Sequence, residues 1–186
     1  MAWIRTVEPE AAGDELRAVY DRITGERGKL AAIMQVQSLR PRAITAHLEL
    51  YQAAMFASGG VSRAERELIA VVVSATNGCR YCVSHHAAAL MAYWNDETRV
   101  QQASENWRGL DGLPARERSM LDYAEALTRQ PATVGLERVV AMRDAGLSDD
   151  DVLSVNLVVA YYNFVNRIAE GLGVELDPEE VGGYRY

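Results

Sequence analysis

SRAERELIAVVVSATNGCRYCVSHH, residues Ser62 to His86, decides the fold. Its middle, Leu68 to Val73, is rich enough in β-branched residues to pass for a strand. Two features around that run predict a helix instead. Ser62 is a preferred N-cap, and Glu65 three residues on completes a capping box. The distance from that cap to the Asn77-Gly78 stop is too long for an ordinary strand and suits a buried helix. On such a helix Glu67 shares a stripe with Ala70, Val71, Ser74 and Gly78, so a carboxylate points along a small, apolar face.

The Asn77-Gly78 break places Cys79 at the start of a second helix. Both cysteines of the chain and two of its three histidines follow the break within a few residues. Two thiols separated by two residues close a disulfide with little backbone movement when the first lies in the opening turn of a helix. Unpaired N–H groups there lower a cysteine pKa from its free value of roughly 8.5. His86 stands at i+4 from Cys82, where an imidazole takes the thiol proton, so Cys82 and His86 are candidate nucleophile and base. His85, at i+3, also reaches Cys82 and is the second choice. A buried carboxylate needs a cation or a donor, and a neighbouring imidazole satisfies it and is made more basic in return. Glu67, His86 and the two sulfurs therefore form a candidate proton relay that holds Cys82 as thiolate. The helix dipole favours Cys79 as the more acidic thiol and the histidine favours Cys82, a tie that the residues alone leave open.

Outward from this core the chain reads as helical. Leu16, Val19, Tyr20 and Ile23 mark an amphipathic first helix, loosened after Gly25 to Gly28, with a short turn near Ile33. Pro41 starts a helix through Ala57, stopped by Gly59-Gly60. Further helices are expected at 96–107, 114–129, 134–145 and 148–170. Leu147-Ser148, an acidic turn and an apolar run echo Val61-Ser62 and its helix as a weak internal repeat without cysteines. Asn163, Asn166 and Arg167 read as residues that cap the helix or bridge subunits, with pocket lining as the alternative. The tail, 178–186, is expected as an extended or partly disordered arm beyond a single domain, 1–177, whose CxxC core lies at 62–93.

With 186 residues, 49% of them hydrophobic, the chain can bury one sizeable core. A formal charge of −7, with no basic stripe or tail, argues against nucleic-acid or anionic-membrane partners. No signal-peptide pattern and no apolar run of membrane-spanning length is present, so the expected location is cytoplasmic, where a disulfide is a transient state.

The spacing Glu67-x11-Cys79-x2-Cys82-x3-His86 on two successive helices resembles the alkylhydroperoxidase D core of the carboxymuconolactone decarboxylase superfamily. Asn163 to Asp177, NFVNRIAEGLGVELD, is similar to the C-terminal part of its peroxidase-related branch. The resemblance implies an all-α, homo-oligomeric helical bundle, commonly trimeric or hexameric. It implies thiol-dependent reduction of small hydroperoxides, with Cys82 as the peroxidatic thiol, Cys79 as its resolving partner, and His86 and Glu67 relaying protons. No bound cofactor is implied. The reductant is an external dithiol, in the alkylhydroperoxidase a lipoyl group on a partner protein. That enzyme has a histidine directly before its second cysteine, where this chain has Tyr81, which leaves the reductant open here. The lactone decarboxylases of the superfamily generally lack the cysteine pair, which counts against decarboxylation.

Plainer readings compete. Two cysteines three apart on a helix can simply pack. Zinc would find Cys79, Cys82 and one of His85 or His86, but no second ligand pair follows, and His47 is the only other histidine. His47 shares a face with Ile44, Leu48 and Tyr51 and reads as a core or interface residue. Tyr81 is read as packing or as shaping the mouth of the site. A decarboxylase-like enzyme, or a non-enzymatic oligomer acting as a thiol redox sensor, remains the alternative to a peroxidase.

Overall fold

A computed structural model describes residues 2–182. The chain forms α1 (Asp14–Arg27), α2 (Ala32–Gln35), α3 (Pro41–Phe56), α4 (Arg63–Asn77), α5 (Arg80–Trp94), α6 (Glu97–Asn106), α7 (Ala115–Arg129), α8 (Leu136–Asp144), α9 (Asp149–Leu172) and α10 (Pro178–Val181). Among the described residues there is no strand.

The Leu68–Val73 run is helical, and its start is fixed as the sequence predicts. The Ser62 hydroxyl accepts from the Glu65 N–H at 3.2 Å while the Glu65 carboxylate accepts from the Ser62 N–H at 2.7 Å. From Arg66 to Ser74 every residue of α4 is buried. A helix that is buried all round is the axis of a bundle, and α4 packs against α3, α5, α6, α7 and α9. Arg66 tolerates this position because its guanidinium donates to the Ala54, Ala57 and Val61 carbonyls, satisfying main-chain acceptors left at the end of α3.

The internal echo is real in geometry. Ser148 and Asp151 form a second capping box, at the start of α9. The two starts meet at Gly60, where a Cβ would lie 2.4 Å from Asp151 Oδ1 and would displace that carboxylate from its cap. Arg116 fastens the junction, donating to Gly60 O at 2.8 Å and to Glu65 Oε1 at 2.9 Å.

Boundaries shift in three places. α1 continues through Gly25 and ends at Gly28, whose φ of 87° is the left-handed cap. α9 runs on to Leu172, where Gly173 at φ 63° stops it. The tail is no extended arm as far as it is described: Asp177 caps the short α10, and Lys29 holds the main-chain carbonyl of Glu180. Residues 183–186, part of the expected arm, lie outside the described residues.

Candidate active site

α4 carries Glu67 into the centre of the bundle, where it is 0% exposed. Its two oxygens serve different partners. Oε2 faces His86 Nδ1 at 2.7 Å. Oε1 accepts from Arg63, at 2.6 Å from Nη2 and 2.9 Å from Nε. Arg63 lies one turn earlier on the same helix, and it also donates to the Tyr51 hydroxyl at 3.2 Å and covers the Phe56 ring at 3.9 Å. Burial opposes a charge on Glu67, but the His86 and Arg63 contacts outweigh it and hold the carboxyl below its usual range. Burial likewise works against the Arg63 charge, and Glu67 prevails, raising its pKa. The pair is ionised.

This fixes the state of His86. A nitrogen facing a carboxylate carries the hydrogen, so Nδ1 is the donor and, in the neutral ring, the lone pair sits on Nε2. The Tyr162 ring packs edge-on at 4.5 Å and its hydroxyl lies 3.3 Å from the same Nδ1, a second and weaker partner. Burial, then the Glu67 charge, push the Tyr162 pKa well above the ordinary value, so it stays a hydroxyl.

The turn between α4 and α5 sets the cysteines. Gly78 takes the left-handed conformation, φ 74°, that closes α4, and Cys79 becomes the N-cap of α5 with Cys82 in its first turn. Both are buried, yet Cys82 lines the pocket and Cys79 stands behind it. The Cys82 pKa is pushed up by its contact with the Cys79 sulfur and by burial, with the Asn166 amide opposing. The sulfur contact and burial both favour the thiol, against the thiolate expected at Cys82. Asn166 also braces the turn, donating to Ser74 Oγ at 3.1 Å and accepting from Asn77 Nδ2 at 2.9 Å, while Asn163 Oδ1 accepts from the same Nδ2 at 3.2 Å. These asparagines thus bridge α9 to the α4–α5 turn within the chain, a contact different from the bridge between subunits read for them.

The pocket, of about 70 Å³, is lined by Cys82, His85 and His86, by Tyr51, Tyr81, Tyr161 and Tyr162, by aliphatic side chains including Ile23, Ile33 and Val165, and by Arg27 and Lys29. The two histidines part company here. His85 Nδ1 lies 2.8 Å from the Tyr81 carbonyl and its Nε2 faces Glu180 at 3.4 Å, so of the pair it is His86 that is joined to Glu67. Among the described residues no group of three or more His, Cys, Asp or Glu side chains is placed to hold a metal ion.

His47 lies in the core, as its face suggests. Gln37 Nε2 donates to Nδ1 at 2.8 Å, and Nε2 contacts the Tyr161 hydroxyl at 2.9 Å. Burial lowers its pKa to about 4. The sequence reading missed Arg63, Tyr162 and Glu180. An i, i+4 pairing with Glu67 was the available signal for Arg63, whereas Tyr162 and Glu180 come from distant elements and had none.

Residues 41–126, from the start of α3 into α7, match the carboxymuconolactone decarboxylase family. Among solved structures the chain is similar to the alkylhydroperoxidase D core of an uncharacterized peroxidase-related protein from Ralstonia eutropha JMP134. The TM-score is 0.86 at 28% identity, covering 97% of this chain and 94% of that one. A peroxidase-related protein from Silicibacter sp. TM1040 gives 0.83 at 28% identity, covering 93% and 90%. The apo debrominase Bmp8 gives 0.78 at 20% identity, covering 95% and 96%, a likeness of fold alone. No described helix is long and apolar enough to cross a membrane.

Proposed function

Since the chain belongs to the alkylhydroperoxidase D/carboxymuconolactone decarboxylase superfamily, we propose that it is a thiol-dependent peroxidase that reduces small organic hydroperoxides through Cys82 and Cys79. The observation that carries this reading is the Glu67–His86 contact at 2.7 Å. It leaves a basic Nε2 on a ring that lines the same pocket as Cys82, with Cys79 next to Cys82.

In the proposed cycle His86 Nε2 takes the Cys82 proton as the sulfur attacks the terminal peroxide oxygen. A sulfur–oxygen bond forms, the O–O bond breaks, and the electron pair leaves on the alkoxide, which collects the proton from His86 and departs as an alcohol. Because the Cys79 contact and burial favour the Cys82 thiol, base assistance in this step matters more than a pre-formed thiolate. The Cys79 sulfur then attacks the sulfenic sulfur; the disulfide closes and hydroxide leaves with the Cys79 proton as water. An external dithiol, of which a lipoyl group is the family's example, returns both thiols and leaves oxidised. The aromatic and aliphatic lining favours an organic peroxide over hydrogen peroxide. A cytosolic setting, in which the thiols rest reduced, completes the reading.

We also read the outer stripe of α9, where Leu153, Leu157 and Phe164 are exposed, as a face of self-association, with a trimer or hexamer as the expected product. Sedimentation measures it directly.

The proposal is tested by trapping with dimedone under an organic hydroperoxide. Cys79→Ser is expected to accumulate a labelled sulfenate on Cys82 and Cys82→Ser to give none; the reverse pattern exchanges the two roles. A decarboxylase on this fold keeps its turnover of a lactone after both cysteines are replaced. A sensor oxidises once and shows no multiple turnover with any dithiol.

A further inference from the structure

Two arginines of α4 both turn back onto the end of α3, and they use their donors differently. Arg66 gives its guanidinium to main-chain carbonyls. Arg63 gives only Nη1 to a carbonyl, that of Met55 at 3.3 Å. Its Nε and Nη2 go to Glu67 Oε1, Nη2 also reaches the Tyr51 hydroxyl, and the Phe56 ring lies against the guanidinium at 3.9 Å. Tyr51, Met55 and Phe56, all on α3, thus fix the Arg63 side chain. Its charge meets the relay carboxylate at the oxygen that His86 does not use.

The Glu67 side chain is 0% exposed and that of Arg63 14%, so solvent screens their interaction little. A lone carboxylate in such a place would hold the His86 ring most strongly as an imidazolium, because a full opposite charge then faces it. An imidazolium carries hydrogens on both nitrogens and has no lone pair for a thiol proton. Arg63 supplies the opposite charge permanently, since a guanidinium keeps its proton. Glu67 then needs from His86 only the neutral Nδ1–H bond. Other groups frame the pair. From α9, Tyr161 and Tyr162 lie near Glu67, and burial keeps both as hydroxyls. On α5, Cys82 shares the pocket with His86, its thiol favoured by the Cys79 contact and burial, while His85 faces Glu180. Arg27 of α1, and Lys29 beyond its end, add positive charge to the pocket wall and are common to every variant compared below.

We propose that Arg63 is a positioning residue for the relay: it pins Glu67 Oε1 and keeps that carboxylate from trapping a second proton on His86, so that Nε2 holds its lone pair at neutral pH. It acts on the base only through Glu67. The consequence for Cys82 oxidation rests on the peroxidase reading, whereas the effect on the ring does not.

The ring itself is therefore the readout. In protein isotopically labelled at the histidine and arginine nitrogens, the His86 ring is titrated by NMR between about pH 5 and 9 in wild type, Arg63→Gln and Arg63→Lys. The midpoint for the second proton is expected to rise by about one pH unit in Arg63→Gln and to return most of the way in Arg63→Lys, which restores the charge without the fork. An unchanged or lowered midpoint in Arg63→Gln overturns the proposal, as does a wild-type ring already doubly protonated at neutral pH. If Arg63→Gln does not fold, wild type decides by itself. Because both side chains share one carboxylate, the Arg63 Nε resonance is expected to move with the midpoint of the His86 ring, and one that stays constant across it overturns the proposal. Stopped-flow oxidation of Cys82 by tert-butyl hydroperoxide is the separate measurement: below the wild-type midpoint, Arg63→Gln should react about tenfold more slowly at a given pH. A shifted ring with no reaction of Cys82 in any of the proteins supports the role of Arg63 and removes the peroxidase reading.

Discussion

Adjacent tyrosines on α9 each meet a histidine, and the two pairs behave oppositely. Tyr161 meets His47 of α3 at 2.9 Å, and Tyr162 meets His86 of α5 at 3.3 Å. Around His47 the other partner is an amide donor, Gln37, whose hydrogen occupies the Nδ1 lone pair. Protonation would set N–H against N–H, so the ring stays neutral and inert. Around His86 the other partner is the ionised Glu67, which demands a hydrogen on Nδ1 and leaves the lone pair on Nε2. One histidine has its lone pair consumed by the fold, and the other keeps its lone pair on a ring that lines a pocket. An aromatic neighbour is common to both, although His47 is buried and His86 is partly exposed; the partner's chemistry, a donor or an acceptor, is what sets the two rings apart.

The largest effect is expected where that partner is removed. Glu67→Ala leaves the Arg63 guanidinium largely buried without its counter-charge, which should cost about 3–5 kcal/mol in urea unfolding. Glu67→Gln keeps the shape and should slow oxidation of Cys82 by peroxide about 10–100-fold in stopped flow. A Glu67→Gln protein that reacts at the wild-type rate would make His86 as inert as His47 and dissolve the comparison.

A second test titrates the structural pair. The folded pKa of His47, about 4, lies below the unfolded value of about 6.5. As pH falls from about 6.5 to 4 the unfolded chain takes up a proton that the folded chain refuses. The stability that neutral His47 allows is complete above that window and lost within it, by about 3 kcal/mol. The difference in unfolding free energy between wild type and His47→Gln, measured at pH 7 and pH 4.5, isolates this loss; a pH-independent difference refutes it.

The smallest effects come from the tyrosines. Tyr161→Phe and Tyr162→Phe should each cost about 1 kcal/mol of stability. Only Tyr162→Phe should also slow Cys82 oxidation, by about threefold, since a contact of 3.3 Å is worth less than a short one. Equal rates for the two variants place Tyr162 outside the relay.

How legible this was follows from distance along the chain. The helix through Leu68–Val73 could be read because its cap, its stop and its small-residue stripe all lie within twenty positions. The same locality made Glu67, Cys79, Cys82 and His86 visible together. The choice of His86 over His85 was left to preference, because both reach back one turn toward Cys82 and only the facing helix, with Glu67, distinguishes them. The forces that raise the Cys82 pKa were hidden for a related reason: spacing reveals the histidine but not the contact with the Cys79 sulfur or the burial. Tyr162 and Glu180 were invisible, since each meets the site through a tertiary contact with no periodic signature. Arg63 was available at i, i+4 and was obscured by its place in a capping turn, where charged residues are ordinarily solvated.

The central claim is that Cys82 and Cys79 form one reactive dithiol beside a fixed base. Its most direct test is the intact mass of the fully reduced, metal-stripped protein, sampled over seconds to minutes after one equivalent of an organic hydroperoxide. The account predicts rapid loss of two hydrogens in wild type, abolished in both Cys79→Ser and Cys82→Ser. A wild-type mass that does not change under peroxide contradicts it.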